Sequence, residues 1–464
     1  MAHYDLVIIG SGSGNSLVTP DFDGRSVAII ESGAFGGTCL NVGCIPTKMF
    51  VYAAEVAATV NDGHRLGVHA AVQSVDWPAI RDRIFGRIDP ISAGGREYRL
   101  TGPNTTAYQG RARFVGPRRL RVALTTTGPE HDIEVSGDQV VIATGSHPMV
   151  PRWVRDSGVA FHTSDTVMRL PSLPPRLLIL GGGYIACEFA HVFGSLGSHV
   201  TMVVRGKSLL RQHDHEVSER FTAQACRQWD VRLETTVTDL APVPEEGGRV
   251  RAVLSDGSVV EADTLLVATG RDPSTQDLGC AAAGVELHPD GRVRVDAYGR
   301  TTAEGVWSLG DASSPYQLKH VANHEARQVA HNLVHPDDLR PFDHRHVPSA
   351  VFTHPQIAAV GATQRELIES GRRYAVYVQS YGSTAYGWAM EDEAGIVKVL
   401  ADPDTGELLG AHLMGAHSSS LIQPIVQAMS FGQPAHEVAR GQYWIHPALS
   451  EVIENALLGL ELGG

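Results

Sequence analysis

Two segments of the chain follow the same order of an apolar strand, a glycine-rich turn, a helix and a second apolar strand. Residues 5–31 contain DLVII, GSGSG and VAIIE, and residues 176–204 contain RLLIL, GGGYIA and HVTMVV. In such a unit the glycines let the backbone approach a pyrophosphate, and the helix N-terminus stabilises its negative charge. The repeat therefore predicts an α/β protein with two Rossmann-like dinucleotide-binding domains.

The residue that closes each unit indicates which nucleotide the unit binds. The first unit ends in Glu31, a carboxylate suited to ribose hydroxyls, whereas the second ends in Arg205 and is followed by Lys207 and Arg211. Arginine pairs with the 2′-phosphate of NADPH, which a carboxylate would repel. We therefore expect a free ribose in the first site and NADPH in the second, with ordinary surface arginines as the alternative. The contacts that this pattern predicts are Gly10, Gly12, Gly14 and Glu31 in the first site, and Gly181, Gly183, Arg205 and Arg211 in the second.

Later strands suggest where the domains meet. VVIATGSHP at residues 140–148 and LLVATGRDP at residues 265–273 each follow one nucleotide-binding unit and end in Ala-Thr-Gly, as at a crossing between domains. From about residue 346, segments such as FTHPQIAAVG and LLGAHLMG predict antiparallel strands of a separate α+β domain. The acidic stretch near Glu245 predicts a hairpin loop. The predicted segments are 1–147 and 271–345 for the first nucleotide-binding domain, 148–270 for the second, and 346–464 for the C-terminal domain.

Composition and charge narrow the class of protein. A chain of 464 residues is too long for one ordinary core, and 43% hydrophobic with 19% charged residues is typical of globular proteins. A net charge of -13 argues against nucleic-acid and anionic membrane partners. The start MAHYDLVIIG has no basic region and no long apolar run, which predicts neither a signal peptide nor a membrane span. An odd, sparse set of 5 cysteines is typical of a reducing cytoplasm.

Two of those cysteines, Cys39 and Cys44, lie close together in GGTCLNVGCIPTK. In a straight α-helix, Cα atoms five residues apart are separated by about 8–9 Å, whereas a disulfide needs less than about 7 Å. A bridge therefore requires a distorted helix, which Gly43 permits. A metal site is the main alternative, but it usually needs a second close pair, and the other cysteines are scattered, so we predict no metal. Two inert thiols remain a further alternative. A redox disulfide beside two nucleotide sites suggests that NADPH reduces a bound carrier, which points to FAD.

These motifs, in this order, resemble the pyridine nucleotide-disulfide reductases, the family of glutathione reductase and lipoamide dehydrogenase. The resemblance rests on GGTCLNVGCIPTK, the two ATG segments, GGGYIACE, GDAS, FTHPQIAAVG and HPALSE, and it covers essentially the whole chain. It implies that Cys39 attacks a substrate disulfide and that Cys44 lies against the flavin as a charge-transfer thiolate. It also implies an ion pair between Lys48 and Glu188 near the flavin.

The resemblance adds further cofactor contacts. For FAD they are Gly37, Thr38, Lys48, Thr144, Gly145, Gly310 and Asp311, and for NADPH they are Tyr184, Ile185 and Gly270. Tyr184 matches a tyrosine that shields the flavin until NADPH arrives. One departure is Asn15, which stands where the first motif usually has its third glycine, so helix-strand packing should be slightly altered there.

A histidine and a glutamate near the C-terminus complete the predicted catalytic set. The segment IHPALSEVIEN places His446 and Glu451 five residues apart. Thiol-disulfide exchange needs a base and an acid, for which histidine is suited near neutral pH, and a carboxylate fixes its tautomer. The resemblance implies that this segment serves the active site of the other subunit, and hence a homodimer.

The substrate is predicted from a finer resemblance. Arg205 and Arg211 match NADPH-selecting positions, which disfavours a lipoamide dehydrogenase, and Pro20 stands where glutathione reductases carry a substrate-binding arginine. Arg327 does match a second glutathione-site arginine. The strings LKHVANHEAR, AYGWAMED and RGQYWIHPAL resemble the branch of the family that reduces mycothione, the disulfide of a sugar-containing thiol. The alternatives are a reductase of another small disulfide, of the glutathione or lipoamide type, or of a quinone, and a non-catalytic NADPH or redox sensor.

Overall fold

A computed structural model of the chain describes residues 1–125, 132–243 and 248–463. The hairpin loop predicted near Glu245 lies outside these residues. The chain forms two compact units, each built from three segments. The first unit comprises Met1–Thr47, Arg81–Met149 and Gly270–His344, and the second comprises Lys48–Ile80, Val150–Thr269 and Arg345–Gly464.

Strands and helices occur both singly and in consecutive runs along the described residues. In chain order the strands are β1 (Ala2–Ile9), β2 (Val27–Glu31), β3 (Thr105–Gly116), β4 (Arg119–Leu124), β5 (Ile133–Ile142), β6 (Ser146–Pro148), β7 (Arg176–Leu180), β8 (His199–Val203), β9 (Asp230–Arg232), β10 (Val237–Pro242), β11 (Val250–Leu254), β12 (Val259–Ala262), β13 (Thr264–Val267), β14 (Arg271–Pro273), β15 (Val306–Ser308), β16 (Ser349–Val351), β17 (Gln356–Gly361), β18 (Ala375–Ser380), β19 (Ile396–Ala401) and β20 (Leu408–Gly415). The helices are α1 (Gly37–Asn41), α2 (Cys44–Asp62), α3 (Trp77–Thr101), α4 (Arg152–Asp156), α5 (Tyr184–Ser195), α6 (His215–Gln228), α7 (Lys319–Val334), α8 (Gln364–Ser370), α9 (Ala385–Ala389), α10 (Ser418–Leu421), α11 (Gln423–Ser430), α12 (Ala435–Arg440) and α13 (Glu451–Leu458).

The first unit is organised around a six-stranded sheet. Strands β15, β5, β1, β2 and β3 lie parallel in that order, and β4 pairs antiparallel with β3 and with the start of β5. Alternate residues of β1 enter two different cores, Val7 and Ile9 on one face and Leu6 and Ile8 on the other. Both faces of β1 are therefore buried, which explains its uninterrupted apolar sequence.

The link between β1 and β2 differs from the predicted helix. Residues Ser13–Leu17 and Pro20–Phe22 form two 3₁₀ turns instead. Pro20 lacks the N–H that an α-helix interior needs, and Gly14, six residues earlier, has a low helix propensity. The prediction of an α-helix here was wrong, although the glycine turn that it would follow is present.

The second unit contains a parallel sheet and two antiparallel sheets. Strands β13, β7, β8 and β9 form the parallel sheet, while β10, β11 and β12 form a small antiparallel one. The C-terminal part has a five-stranded antiparallel sheet in the order β16-β17-β20-β19-β18. These sheets confirm the predicted α/β class and the change to antiparallel strands after residue 346. The division at residues 147, 270 and 345 stays a prediction, and this one unit contains both the second nucleotide-binding segment and the C-terminal segment.

In the second nucleotide-binding repeat the predicted order of elements is present. Strand β7 leads through Gly181–Gly183 into α5 and then into β8. Gly183 is the N-cap of α5. Among the residues that the structure describes, no helix combines the length and the apolar character needed to cross a bilayer.

Candidate active site

The first glycine turn packs against backbone in the first unit. A Cβ atom on Gly10 would collide with the carbonyl oxygen of Ala143, and one on Gly37 would lie 2.5 Å from the Cα atom of Gly12. Gly10 and Gly37 also have φ angles of +105° and +69°, which favour glycine. Gly10, Gly12 and Gly37 thus form a closely packed cradle of backbone without side chains, of the kind that a pyrophosphate requires.

Gly14 supplies the close packing that the missing third glycine usually provides. A Cβ atom on Gly14 would lie 2.8 Å from Cγ2 of Ile8 and 3.0 Å from Cβ of Ala143. Asn15 instead donates from Nδ2 to the carbonyl oxygen of Ser11, at 2.5 Å. The departure at Asn15 therefore leaves the close approach to β1 intact.

Glu31 connects the end of β2 to this turn. Its Oε2 atom accepts hydrogen bonds from the backbone N–H and from Oγ of Ser11, at 2.8 and 2.7 Å. Its Oε1 atom accepts from the backbone N–H of Gly33 at 2.7 Å. Since a carboxylate has about four acceptor positions, Glu31 fixes the turn and still has an acceptor position for a ribose hydroxyl.

Two other predicted FAD segments lie in the same unit. Thr144 Oγ1 is one of the few side-chain atoms in the described part of the chain that is buried and has no hydrogen-bond partner. Asp311 Oδ2 accepts from Ser146 Oγ at 2.6 Å, and Gly310 donates its N–H to Oε2 of Glu325 at 2.7 Å. A buried hydroxyl without a partner lowers stability unless a ligand satisfies it. The orphaned hydroxyl and the glycine cradle both fit a bound dinucleotide.

The two cysteines flank a break in the helix. Helix α1 ends at Asn41, Val42 leaves the helical conformation at φ -143°, and α2 begins at Cys44. A Cβ atom on Gly43 would lie 2.9 Å from the carbonyl oxygen of Thr38, so a side chain would push the two helices apart. The distortion that a Cys39–Cys44 bridge requires is therefore present.

The environment of Cys39 favours its thiolate. The hydrogen bond with Cys44 is the largest influence, and it lowers the pKa of Cys39 from an ordinary 9.0 to about 7. Partial burial opposes this shift, while the positive charge of Lys319 assists it. Lys319 also donates to Ser13 Oγ at 2.8 Å, which holds the ammonium near the glycine turn. A thiol with this pKa is substantially ionised, and so nucleophilic, near neutral pH.

Lys48 and Glu188 form an ion pair within the second unit. Lys48 Nζ lies 2.7 Å from Glu188 Oε1, and the Glu188 side chain is only 9% exposed. The same Oε1 atom accepts from the backbone N–H of Phe352 at 3.0 Å. The Lys48 ammonium also lies 3.7 Å from the centroid of the Phe352 ring. The ammonium is thus held by a buried carboxylate and an aromatic face.

The predicted NADPH residues lie mainly at the carboxyl ends of β7 and β8, the two central strands of the parallel sheet. Gly181 follows β7 and Arg205 follows β8, which are parallel neighbours with Leu180 opposite Val203. Gly183 has open space beside its Cα atom. Tyr184 and Ile185 lie in the first turn of α5, and Tyr184 is 43% exposed. Arg205 and Arg211 are both exposed. Gly270 instead belongs to the first unit, where it has a φ angle of +141°.

His446 and Glu451 are brought together in the second unit. His446 Nδ1 lies 2.7 Å from Glu451 Oε1, and Glu451 Oε2 accepts from the backbone N–H of Ala448 at 3.2 Å. The hydrogen bond to His446 holds the pKa of Glu451 below its ordinary value. An ionised carboxylate only accepts hydrogen bonds, so Nδ1 carries the proton and Nε2 is the basic nitrogen of the ring. The imidazole side chain is 71% exposed.

Sequence reasoning missed two residues of these clusters. Phe352 belongs to the quoted FTHPQIAAVG string, but nothing in that string indicates contact with a lysine about 300 positions earlier. Lys319 begins α7, far along the chain from Cys39. An isolated basic residue at a helix start carries no sequence signal for thiol activation.

Comparison with known proteins gives two matching families of domains. The family model described as pyridine nucleotide-disulphide oxidoreductase matches residues 4–326. The model described as the dimerisation domain of the same enzymes matches residues 347–457. Together the two matches span nearly the whole chain.

Full-length relatives and solved structures agree with these matches. The chain is 53% identical to mycothione reductase of Mycobacterium tuberculosis, over 99% of this chain and 100% of the relative. It is 33% identical to glutathione reductase of Burkholderia cepacia, over 97% of each. The structure of an HOCl-induced flavoprotein disulfide reductase from Escherichia coli superposes with a TM-score of 0.85 at 29% identity, covering 98% of this chain and 100% of that one.

Proposed function

Because the chain belongs to the pyridine nucleotide-disulphide oxidoreductase family, we propose that it reduces mycothione to two mycothiols with NADPH as the reductant. The observation that carries this proposal is the 53% identity, over essentially the full length, to mycothione reductase of M. tuberculosis. The enzyme is an oxidoreductase whose cofactors are FAD and NADPH, and it forms a homodimer through its dimerisation domain.

The residues proposed to hold FAD are those of the first unit. They are Gly10, Gly12, Gly14, Glu31, Gly37, Thr38, Thr144, Gly145, Gly310 and Asp311, with Lys48 from the second unit. The glycine cradle and the unsatisfied hydroxyl of Thr144 support this assignment. Bound FAD supplies hydride acceptance from NADPH and two-electron delivery to a disulfide.

The two thiols divide the reduction of the substrate between them. The Cys39 thiolate attacks one sulfur of mycothione, which forms a mixed disulfide and releases the first mycothiol. Cys44 then attacks the Cys39 sulfur, which releases the second mycothiol and leaves a Cys39–Cys44 disulfide. NADPH and one proton regenerate the dithiol, so one NADPH is oxidised for each mycothione reduced. The low pKa of Cys39 supports its role as the attacking thiol.

His446 is proposed as the proton donor to the leaving thiol and the acceptor of the Cys39 proton. The Glu451 carboxylate fixes the tautomer that presents Nε2 and stabilises the imidazolium after proton uptake. We assign this pair to the active site of the partner subunit. The high exposure of the imidazole in the single chain supports a role outside its own fold.

Arg205 and Arg211 are proposed to bind the 2′-phosphate of NADPH. They follow the second strand of the nucleotide-binding repeat, where the ribose of a bound dinucleotide is recognised. Gly181, Gly183, Tyr184, Ile185 and Gly270 are the other proposed NADPH contacts. Lys48 and Glu188 are proposed to act together beside the flavin, where a positive charge stabilises electron-rich states.

The test is NADPH oxidation by the purified flavoprotein with mycothione and glutathione disulfide compared at equal concentration. Rapid turnover with mycothione and little with glutathione disulfide is expected. A preference for glutathione disulfide would retain the mechanism and contradict the substrate. Absence of turnover with any small disulfide by a protein that binds FAD would favour the redox-sensor alternative.

A further inference from the structure

A buried ion pair lies between the nucleotide-binding part and the C-terminal sheet of the second unit. Lys398 Nζ on β19 lies 2.8 Å from Asp214 Oδ1, and the two side chains are only 3% and 1% exposed. Lys398 also donates to Gln364 Oε1 at 2.7 Å. The backbone N–H of Gln364 donates in turn to Asp214 Oδ2 at 3.1 Å. Nothing in the proposed reaction uses these groups.

The surroundings of the pair favour its charged form. Burial is the largest single influence on the pKa of Asp214 and would raise it, but the hydrogen bond from Lys398 and the smaller lowering influences, among them the N–H of Gln364, together outweigh burial, so the pKa of Asp214 lies below its ordinary value. His412 lies opposite Lys398 on the neighbouring strand β20. Burial lowers the pKa of His412, which favours the neutral imidazole and so avoids repulsion of the ammonium. Glu216 lies 3.7 Å from Lys398 Nζ and adds a second negative charge. The pair is therefore well satisfied despite its burial.

Asp214 is also the point at which the predicted phosphate-binding segment ends. Its Oδ1 atom accepts from the backbone N–H of Glu216 at 3.1 Å, which caps helix α6. Arg211 lies three residues before it, inside a turn in which the N–H of His213 donates to the carbonyl oxygen of Leu210 at 2.8 Å. The N–H of Leu210 donates to the carbonyl oxygen of Gly182 at 2.8 Å. Arg211 is thus held between the second glycine turn and Asp214.

We propose that Lys398 is a positioning residue for NADPH: through Asp214 it fixes the backbone that carries Arg211, and with it the selection of the 2′-phosphate. The inference rests on the proposed function, because Arg211 is assigned there as a phosphate ligand. A guanidinium binds phosphate strongly only in the correct orientation. A residue outside the nucleotide-binding repeat therefore contributes to the choice between NADPH and NADH.

The experiment measures the affinity of the holoenzyme for 2′,5′-ADP and for 5′-AMP by calorimetry, with the ratio of the two affinities as the readout. The Lys398→Met variant should lose about tenfold in this ratio, the scale of one charged hydrogen bond, while its affinity for 5′-AMP stays unchanged. Arg211→Ala sets the loss expected when the direct contact is removed. Arg373→Met is the matched control, because it breaks an exposed ion pair with Asp404 in the same C-terminal part.

A general loss of structure would lower both affinities together and leave their ratio unchanged, which would overturn the proposal. Because a lone buried charge destabilises the fold, the double variant Asp214→Asn with Lys398→Met provides a second test. Asparagine retains the helix cap, so this variant should fold and still lose the phosphate preference. A wild-type ratio in either folded variant would contradict the role of Lys398. A wild-type enzyme that does not prefer 2′,5′-ADP would instead contradict the proposed NADPH site, and Arg211→Ala would then have no effect.

Discussion

The Lys48 ammonium lies 3.7 Å from the centroid of the Phe352 ring, and both residues donate to the same oxygen of Glu188. An aromatic face attracts a cation by about 0.5–2 kcal/mol, more when water is excluded. Glu188 neutralises the charge of Lys48 through one carboxylate oxygen. The ring supplies the second contact, so Lys48 is held from two sides.

Replacing Phe352 by Leu should therefore remove the aromatic contact with the Lys48 ammonium. The hydrogen bond from the backbone N–H of residue 352 to Glu188 should remain. A double-mutant cycle with Lys48→Met, measured by urea unfolding, should give a coupling free energy of about 0.5–2 kcal/mol. Phe352→Tyr retains an aromatic face and should retain the coupling. Additive effects of Phe352→Leu and Lys48→Met would show that the ring only fills space.

The thiol of Cys39 should react with iodoacetamide in a pH range well below that of an ordinary cysteine. Since its pKa is lowered to about 7 from 9.0, the thiolate forms as the pH rises, and the alkylation rate should rise with a midpoint near pH 7. Cys226 is an internal control, because it is exposed and partial burial raises its pKa. Peptide mass spectrometry resolves the two sites.

The partners of Cys39 predict how this midpoint moves. Lys319→Met removes a nearby positive charge, so the midpoint should shift to higher pH. Cys44→Ser weakens the hydrogen bond that lowers the pKa most, and it should shift the midpoint in the same direction. Equal alkylation profiles for Cys39 and Cys226 would contradict the activation of Cys39.

Local patterns predicted much of this structure, and long-range contacts supplied the rest. The spacing indicated that a bridge between Cys39 and Cys44 requires a distorted helix, which Gly43 permits, because a straight helix keeps the two residues too far apart. The α-helix expected after the first glycine turn was wrong, since Pro20 stops regular helix hydrogen bonding there. The Asp214–Lys398 pair joins residues 184 positions apart, and no local periodicity encodes such a contact. Buried polar pairs of this kind are set by tertiary packing rather than by pattern.

The close approach of Gly37 to Gly12 should make Gly37→Ala strongly destabilising. The new Cβ atom would lie 2.5 Å from the Cα atom of Gly12, which is backbone and has no side-chain freedom to move away. Gly24 is the matched control, because its φ angle of +81° is similar and no atom lies within 4 Å of its Cβ position. Gly24→Ala should cost about 1–2 kcal/mol of unfolding free energy from backbone strain alone.

Urea unfolding of both glycine variants, with FAD retention measured after gel filtration, tests this difference. Gly37→Ala should lose more stability than Gly24→Ala and should also release FAD, because Gly37 and Gly12 belong to the proposed cradle. Equal losses in the two variants would mean that the steric contact at Gly37 relaxes easily, and retained FAD would argue against the cradle.

Subunit mixing decides whether His446 acts in the partner's active site. Cys39→Ser removes the attacking thiol, and His446→Ala removes the acid–base group, which contributes about 10²–10⁴-fold. Each homodimer should therefore be nearly inactive and yet retain FAD. A mixed dimer of the two variants holds one site with both an intact Cys39 and an intact His446 if the histidine acts across the interface. If it acts within its own subunit, neither site is intact.

Random co-assembly should restore about a quarter of wild-type turnover if His446 acts across the interface, because half of the dimers are mixed and each mixed dimer has one working site. Turnover that stays at the level of the parent variants, with mixed dimers isolated by two affinity tags, would assign His446 to its own subunit.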